Sequence, residues 1–243
     1  DRMGVSIAIC EVDSDSALCK IGKTTLLKVN LKDVSGFEDL AEFDLVVPIS
    51  QAKLLLGADW EAFLKRNRLD PEMETLYLEK VKNEADKKLL TAESQKLYTG
   101  WISLDKVPAE RRDALMEKAG KDDRLTAWDM LSFDEMGATC GKCSLSWDEG
   151  RGCMGTFGPE NSALPGIAQK YNCAIVASVP SSVESKKLFS VEDAAKLLEE
   201  VKVLREKLPD EGKVMVRRYS GVLDRLEKMG NVCVTYQTRF YFL

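Results

Sequence analysis

Three cysteines in a glycine-rich stretch are the residues of this chain whose types and spacing best suit chemistry. Cys140 and Cys143 are two residues apart in the sequence CGKC, and nine residues separate Cys143 from Cys153. A turn over a Cys-x2-Cys spacing can point both thiolates at one ion, and Gly152 and Gly155 let the backbone bend tightly around a bound centre. Thiolates select soft metals. The pattern therefore predicts an iron–sulfur cluster or zinc, with both glycines assigned to cofactor binding.

The number of thiolate ligands separates the possible roles of such a centre. We predict Cys173 as the fourth ligand, because it begins an apolar segment expected to follow the loop, while Cys10, Cys19 and Cys233 remain open alternatives. Three thiolates on a [4Fe–4S] cluster leave one iron open for substrate, which is a catalytic arrangement. Four thiolates indicate structural zinc or an electron-transfer cluster.

Two other interpretations of the cysteine loop compete with metal binding. A redox Cys-x2-Cys pair normally begins a helix, whose N-terminal dipole favours the thiolate. Here the segment SLSWDEG follows Cys143, and its glycine and acidic residues make a poor helix. The cysteines could also be buried apolar side chains in an irregular loop. The local sequence favours metal over the redox pair.

Histidine is absent from all 243 residues. This excludes Ser-His-Asp triads, Cys-His nucleophile pairs and histidine-based zinc sites. General acids and bases are limited to Asp, Glu, Lys, Tyr and Cys. The seven cysteines are odd in number and unevenly spread, which is unlike a secreted disulfide framework and predicts a reducing, cytoplasmic location.

A second candidate site lies at residues 17–24, which end in Gly22-Lys23-Thr24 and match the loosest phosphate-loop pattern. The middle of the segment is apolar or basic, although a loop that wraps phosphates favours glycines there. A hairpin with Gly22-Lys23 as its turn is the competing interpretation. A nucleotide-binding switch is therefore the less favoured function.

Composition limits the partners. The net charge is −5 and the pI about 5.1. No basic cluster stands out, which argues against nucleic-acid binding because such binding needs a cationic face. No apolar run approaches the roughly 18 residues of a membrane span. A protein partner or a small-molecule substrate remains, and the sequence specifies neither.

Hydrophobic patterns predict an α/β fold with mixed sheets, crossover helices and a helical insertion in the middle of the chain. Strands are expected at 4–12, 24–31, 43–50, 173–180, 213–219 and 231–243. Helices are expected at 51–67, 71–97, 108–119, 124–132, 190–208 and 221–229, with Ser190 and Asp193 forming a capping box and Gly230 ending the last. No internal repeat is evident.

A change in composition near residue 135 predicts an N-terminal α/β region with a helical segment at 1–135 and a C-terminal α/β region with the Cys/Gly-rich loop at 136–243. The predicted function is that of a cytosolic metal-binding protein, acting as a metalloenzyme or as a component of cluster assembly or electron transfer. A scaffold or interaction module with a structural metal is the alternative.

Overall fold

The chain folds into two compact units, as seen in the computed structural model, which describes residues 4–243. Unit 1 consists of the two ends of the chain, up to Thr25 and from Ala127 onward, and unit 2 is Leu26–Thr126. The Ala127 amide donates to the Thr25 carbonyl oxygen at 2.9 Å, so the chain leaves and re-enters unit 1 at adjacent residues. Unit 2 is therefore an insertion in unit 1, whereas composition had suggested a boundary near residue 135.

Within residues 4–243, the strands are β1 Val5–Ile9, β2 Leu26–Asn30, β3 Phe43–Pro48, β4 Thr75–Tyr77, β5 Gln95–Tyr98, β6 Trp101–Ser103, β7 Arg124–Thr126, β8 Met154–Gly158 and β9 Phe240–Phe242. The α-helices are α1 Lys20–Thr24, α2 Ile49–Leu56, α3 Trp60–Asn67, α4 Glu84–Thr91, α5 Ala109–Lys118, α6 Phe133–Lys142, α7 Leu164–Lys170, α8 Ala174–Ala177, α9 Val179–Ser185, α10 Val191–Lys207 and α11 Lys213–Tyr236.

The mixture of helices and strands is confirmed, but the predicted sheet type is not. The three sheets have the strand orders β8-β1-β9, β6-β2-β7 and β4-β3-β5. Within each sheet, both neighbouring strands pair antiparallel with the central strand. The described residues therefore contain no mixed sheet with crossover helices. The predicted helical insertion is also wrong, because unit 2 contains six strands besides its helices.

In unit 1, a small sheet packs under a helical layer. β1 is its central strand, and Ile7 pairs with Gly155 on one side and Phe242 on the other. Ile7 and Phe242 are buried, and the ring centroids of Phe189 and Phe240 lie 4.9 Å apart beside them. This aromatic cluster gives unit 1 one continuous hydrophobic core.

The C-terminal helices confirm one sequence prediction and correct two others. The capping box at Ser190 and Asp193 is confirmed at the start of α10. The expected strand, helix and strand over 213–243 are instead the single helix α11 followed by the short β9. Gly230 does not end a helix, because it lies within α11, where a Cβ atom would come 2.9 Å from a Leu198 methyl group. Helical packing against α10 has overridden the strand propensity of the valines.

The predicted strand at 173–180 is also helical, forming α8 and the start of α9. The carboxylate of Glu200, on α10, accepts hydrogen bonds from the amides of Ile175 and Val176 at 3.1 and 3.0 Å. These amides are at the beginning of α8 and have no partner within the helix. The side chain that accepts from the first amides of this short helix comes from a distant element, so the local sequence gave no sign of the helix.

Unit 2 contains an internal repeat that the sequence pattern did not reveal. Each half consists of a central strand and a later segment that runs strand, 3-10 turn, helix, strand. The two strands of that segment pair on either side of the central strand. In one half β4 and β5, joined through α4, flank β3; in the other β6 and β7, joined through α5, flank β2. The segments 76–81 (LYLEKV) and 102–107 (ISLDKV) occupy equivalent places.

The predicted helix at 71–97 is wrong, because its apolar residues at four-residue spacing are distributed over a strand, a turn and a helix.

Each half of unit 2 has a separate small core, and the half around β3 also has a buried polar network. Arg66 donates two hydrogen bonds to the Asp86 carboxylate, at 2.6 and 2.7 Å. The fully buried Asn67 donates to Phe63 and Asp86 and accepts from two backbone amides. This network fixes α3 against the start of α4.

Candidate metal centre

The Cys-x2-Cys motif lies at the end of a helix. Ser132 and Glu135 form a reciprocal capping box that begins α6, and Cys140 lies in its last turn. Cys143 is the residue at which the helix ends, with its amide donating to the Cys140 carbonyl oxygen at 3.2 Å. The motif is therefore at the C-terminal end of the helix dipole, not at the N-terminal end that activates redox cysteine pairs.

After α6, a tight loop returns the chain to Cys153. The amides of Trp147 and Asp148 both donate to the Gly152 carbonyl oxygen, at 3.0 and 2.9 Å. Gly152 has φ of +77°, a conformation that favours glycine. The Trp147 indole N–H donates to the Cys153 carbonyl oxygen at 2.9 Å. The loop thereby holds Cys153, just before β8, next to the end of α6.

The assigned cofactor glycines have backbone roles in this loop. A Cβ atom on Gly155 would lie 2.5 Å from the Trp147 ring, so glycine is needed for the indole to pack there. A Cβ on Gly152 would lie 3.8 Å from the Cys140 Cβ. Both glycines support the loop around the cysteines, and whether either touches a cofactor stays a prediction.

Four cysteines line one small cavity of about 20 Å³. Cys140, Cys143 and Cys153 are three of them, and Cys19, at the start of α1, is the fourth. The remaining lining residues are Glu11, Thr139, Leu145 and Ser146. The structure therefore brings together the three predicted ligands and adds a cysteine more than a hundred residues away along the chain.

Cys173 does not line this cavity. It is buried before α8, and its Sγ lies 3.7 and 3.8 Å from the carbonyl oxygens of Tyr171 and Glu200. Burial, with a smaller contribution from Glu200, raises the pKa of the Cys173 thiol to about 11. Cys173 is thus a packed thiol in its surroundings here, and Cys19 takes its place beside the other three. No sequence spacing pointed to Cys19, because the inserted unit 2 separates it from the loop.

The four thiols line one cavity, but their sulfur atoms are not arranged to coordinate a common metal ion. Among residues 4–243, no group of three or more Cys, Asp or Glu side chains is spaced to hold a metal ion as it stands. All seven cysteines are free thiols. Metal binding at this cavity therefore requires rotation of the cysteine side chains and loss of their protons.

Charged side chains flank the cavity. Lys23, on α1, forms an ion pair with Glu11, and its Nζ lies 5.4 Å from the centroid of the Trp128 ring. Burial raises the pKa of the Cys153 thiol to about 11; Glu11 acts in the same direction and Lys23 opposes it. Burial likewise raises the pKa of the Cys19 thiol, again with opposite contributions from these two charges.

The candidate phosphate loop at residues 17–24 is not formed. Residues 20–24 are the helix α1, so neither a phosphate-wrapping loop nor the alternative hairpin turn exists there. The Lys23 amine binds Glu11, and the Thr24 hydroxyl donates to the Lys20 carbonyl oxygen at 2.7 Å. The segment instead supplies Cys19 and Lys23 to the surroundings of the cysteine cavity.

A wider cleft also borders the cysteine loop. Its volume is about 680 Å³, and its lining residues come from α6 and the loop that follows. Cys140 and Cys143 line both this cleft and the small cavity. The cleft also carries Asp148, Glu149 and Arg151.

Comparisons with known proteins give no relative of this chain. No family model, no curated protein and no solved structure matches it. Across residues 4–243, no helix is long and apolar enough to cross a membrane.

Proposed function

We propose that this protein binds a soft metal through Cys19, Cys140, Cys143 and Cys153. The observation that supports this is the shared cavity: four thiols from three segments of the chain line one small space. A four-thiolate site requires cysteines from different parts of the chain to meet in this way. With no histidine in the chain, thiolates are the soft-metal ligands it can offer.

The size of the cavity favours a single ion, with zinc as the first candidate. About 20 Å³ has room for roughly one water-sized sphere. Zinc takes four thiolates in tetrahedral geometry and in such sites has a structural role, as a closed site without an open position. The protein would then be a binding or scaffold module whose metal fixes the cysteine loop to α1.

An iron–sulfur cluster is the second candidate, favoured by the wider cleft that shares Cys140 and Cys143. If the loop shifts toward this cleft, the larger volume has room for a cluster, and a cluster held by four cysteines transfers electrons. Free thiols at all seven cysteines agree with either candidate in a reducing compartment.

Anaerobic purification with metal analysis and a visible spectrum tests the proposal. One zinc per chain in a colourless protein supports the structural site, and iron with sulfide in a brown protein supports the cluster. The Cys19→Ser and Cys143→Ser variants are each expected to lose most of the metal. Cys173→Ser and Cys10→Ser are matched controls that are expected to keep it, since neither residue lines the cavity.

Two results would contradict the proposal. The first is a wild-type protein that takes up neither zinc nor iron under reducing, anaerobic conditions. The second is equal metal content in the Cys19→Ser and Cys10→Ser variants. Far-ultraviolet circular dichroism of each variant identifies any loss of metal that follows from unfolding alone.

A further inference from the structure

A cation and an anion are placed beside the cysteine cavity on the side of α1. Lys23 follows Cys19 by four residues, so both side chains lie on one face of this helical turn. The Lys23 amide donates to the Cys19 carbonyl oxygen at 2.9 Å, which fixes that relation. Glu11, from the 3-10 turn Glu11–Asp13, lines the cavity itself.

The pair is shielded from solvent. The side chains of Lys23 and Glu11 are 32% and 20% exposed, and Trp128 covers the ammonium group. Lys20 on the same helix is equally exposed, at 32%, but its partner Asp15 has a side chain that is 98% exposed. Charges withdrawn from water act on their neighbours more strongly than exposed ones do. The nearby groups that gain charge when a metal binds are the thiols.

We propose that Lys23 and Glu11 are positioning residues that set the metal affinity of the cysteine centre in opposite directions. The inference rests on the proposed function. Four thiolates around a divalent ion carry a net charge of −2, so the Lys23 ammonium stabilises the bound state. The Glu11 carboxylate repels it. The pair therefore acts as an electrostatic control on a site to which neither side chain needs to be a ligand.

Opposite effects distinguish this role from that of an ordinary structural ion pair. If the pair only holds α1 in place, removing either partner breaks the same contact and weakens metal binding in both cases. If the charges act on the centre, Lys23→Met weakens binding and Glu11→Gln strengthens it. Changes around metal ligands alter affinity by about 10-fold to 100-fold, and we expect roughly 10-fold in each direction.

The experiment measures zinc dissociation constants by competition with a chromophoric chelator at fixed pH and ionic strength. The variants are Lys23→Met, Glu11→Gln and the double variant, which is expected to return close to the wild-type affinity. Lys20→Met and Asp15→Asn are the matched controls, because neither residue lines the cavity and Asp15 is exposed, and they are expected to change affinity less than 2-fold. Thermal unfolding of each metal-free variant reports its structural cost separately.

Weaker binding in both single variants by a similar factor would overturn the inference. A loss of affinity confined to Glu11→Gln would also overturn it, since the carboxylate would then be acting as a ligand. These results differ from a failure of the proposed function, in which the wild-type protein binds no zinc. If the centre holds an iron–sulfur cluster, the same variants are read by its reduction potential: lower for Lys23→Met and higher for Glu11→Gln.

Discussion

The two units of this protein differ in their cysteine content and in the organisation of their cores. All seven cysteines belong to unit 1, and unit 2 has none. Unit 1 has one large hydrophobic core, whereas unit 2 has two small cores and a buried network around Arg66 and Asp86. The contrast suggests a division of roles, with thiol chemistry confined to the unit formed by the chain ends.

The comparison also shows why an insertion obscures a site. The chain leaves unit 1 at Thr25 and returns at Ala127, and the two residues are hydrogen-bonded. Cys19 lies before the insertion and the other three cavity cysteines lie after it. Cys19 lies shortly before the point where the chain leaves unit 1, and Cys140 shortly after the point where it returns. Unit 2 therefore adds most of the sequence separation between the two cysteines, although both line the same cavity.

Loss of a core side chain in unit 2 gives the largest effect expected from the comparison. Phe63 is fully buried and stacks on Trp60 with ring centroids 5.5 Å apart. We expect Phe63→Ala to lower the free energy of unfolding of unit 2 by about 3–5 kcal/mol. Urea unfolding followed by Trp60 and Trp101 fluorescence, in a background with Trp128 and Trp147 changed to Phe, checks this.

The complementary background, with Trp60 and Trp101 changed to Phe, reports on unit 1 in the same experiment. We expect no change there, because the cores are separate. Leu54→Ala, at a side chain that is 84% exposed, is the control and is expected to stay within about 0.5 kcal/mol. An equal loss in both units would mean that they unfold together, and the proposed division would fail.

A smaller effect is expected in acid, at the ion pair between Arg66 and Asp86 in unit 2. Hydrogen bonds from Arg66, opposed by burial, hold the pKa of Asp86 below its usual 3.8. A depressed folded-state pKa gives stability that is complete above pH 3.8 and is lost as pH falls through the folded value. Asp86→Asn should therefore cost about 2 kcal/mol at pH 7 and progressively less below pH 3.8.

Urea unfolding of unit 2 at pH 7, 5 and 3 measures that difference. Asp59 also pairs with Arg66, but its side chain is 51% exposed, so Asp59→Asn is the matched control and is expected to cost much less than Asp86→Asn. A cost for Asp86→Asn that is the same at pH 7 and pH 3 would show that its ionisation does not contribute.

The smallest effect is expected in alkali, and only in unit 1. Burial raises the pKa of the fully buried Cys233 thiol from 9.0 to about 11. A raised folded-state pKa gives stability that is complete below pH 9 and is lost as pH rises toward 11. Cys153 and Cys173 have similarly raised pKa values, so we expect Cys233 to contribute about 1–2 kcal/mol of the stability that unit 1 loses over this range, and Cys233→Ala to reduce the slope without abolishing it.

Unfolding of unit 1 at pH 8, 9.5 and 10.5 checks this slope. Cys233→Ala lowers stability at pH 8 through lost packing, so the slope and not the absolute value is compared. Cys10→Ala, at a partly exposed cysteine, is the control and is expected to flatten the slope less. Equal slopes of stability against pH in wild type and Cys233→Ala would show that ionisation of the Cys233 thiol does not contribute to the alkaline loss.

Much of the local structure could be predicted from the sequence where short-range signals are strong. The strands at β1, β2 and β3 and the capping box at Ser190 lie where the pattern placed them. Residues 213–236 show the limit, because their valines favour a strand locally. Buried positions at helical spacing pack on α10 and outweigh that preference.

The sequence by itself determined the chemistry that this protein can offer: no imidazole, seven thiols, and three of them gathered in a glycine-rich loop. Residue type and short spacing carry that information, because neighbours in a chain stay neighbours in space. Only the tertiary structure decided that Cys19, and not Cys173, joins the other three, and that Lys23 and Glu11 flank them. Contacts across an insertion depend on how the whole chain packs, which local sequence does not encode.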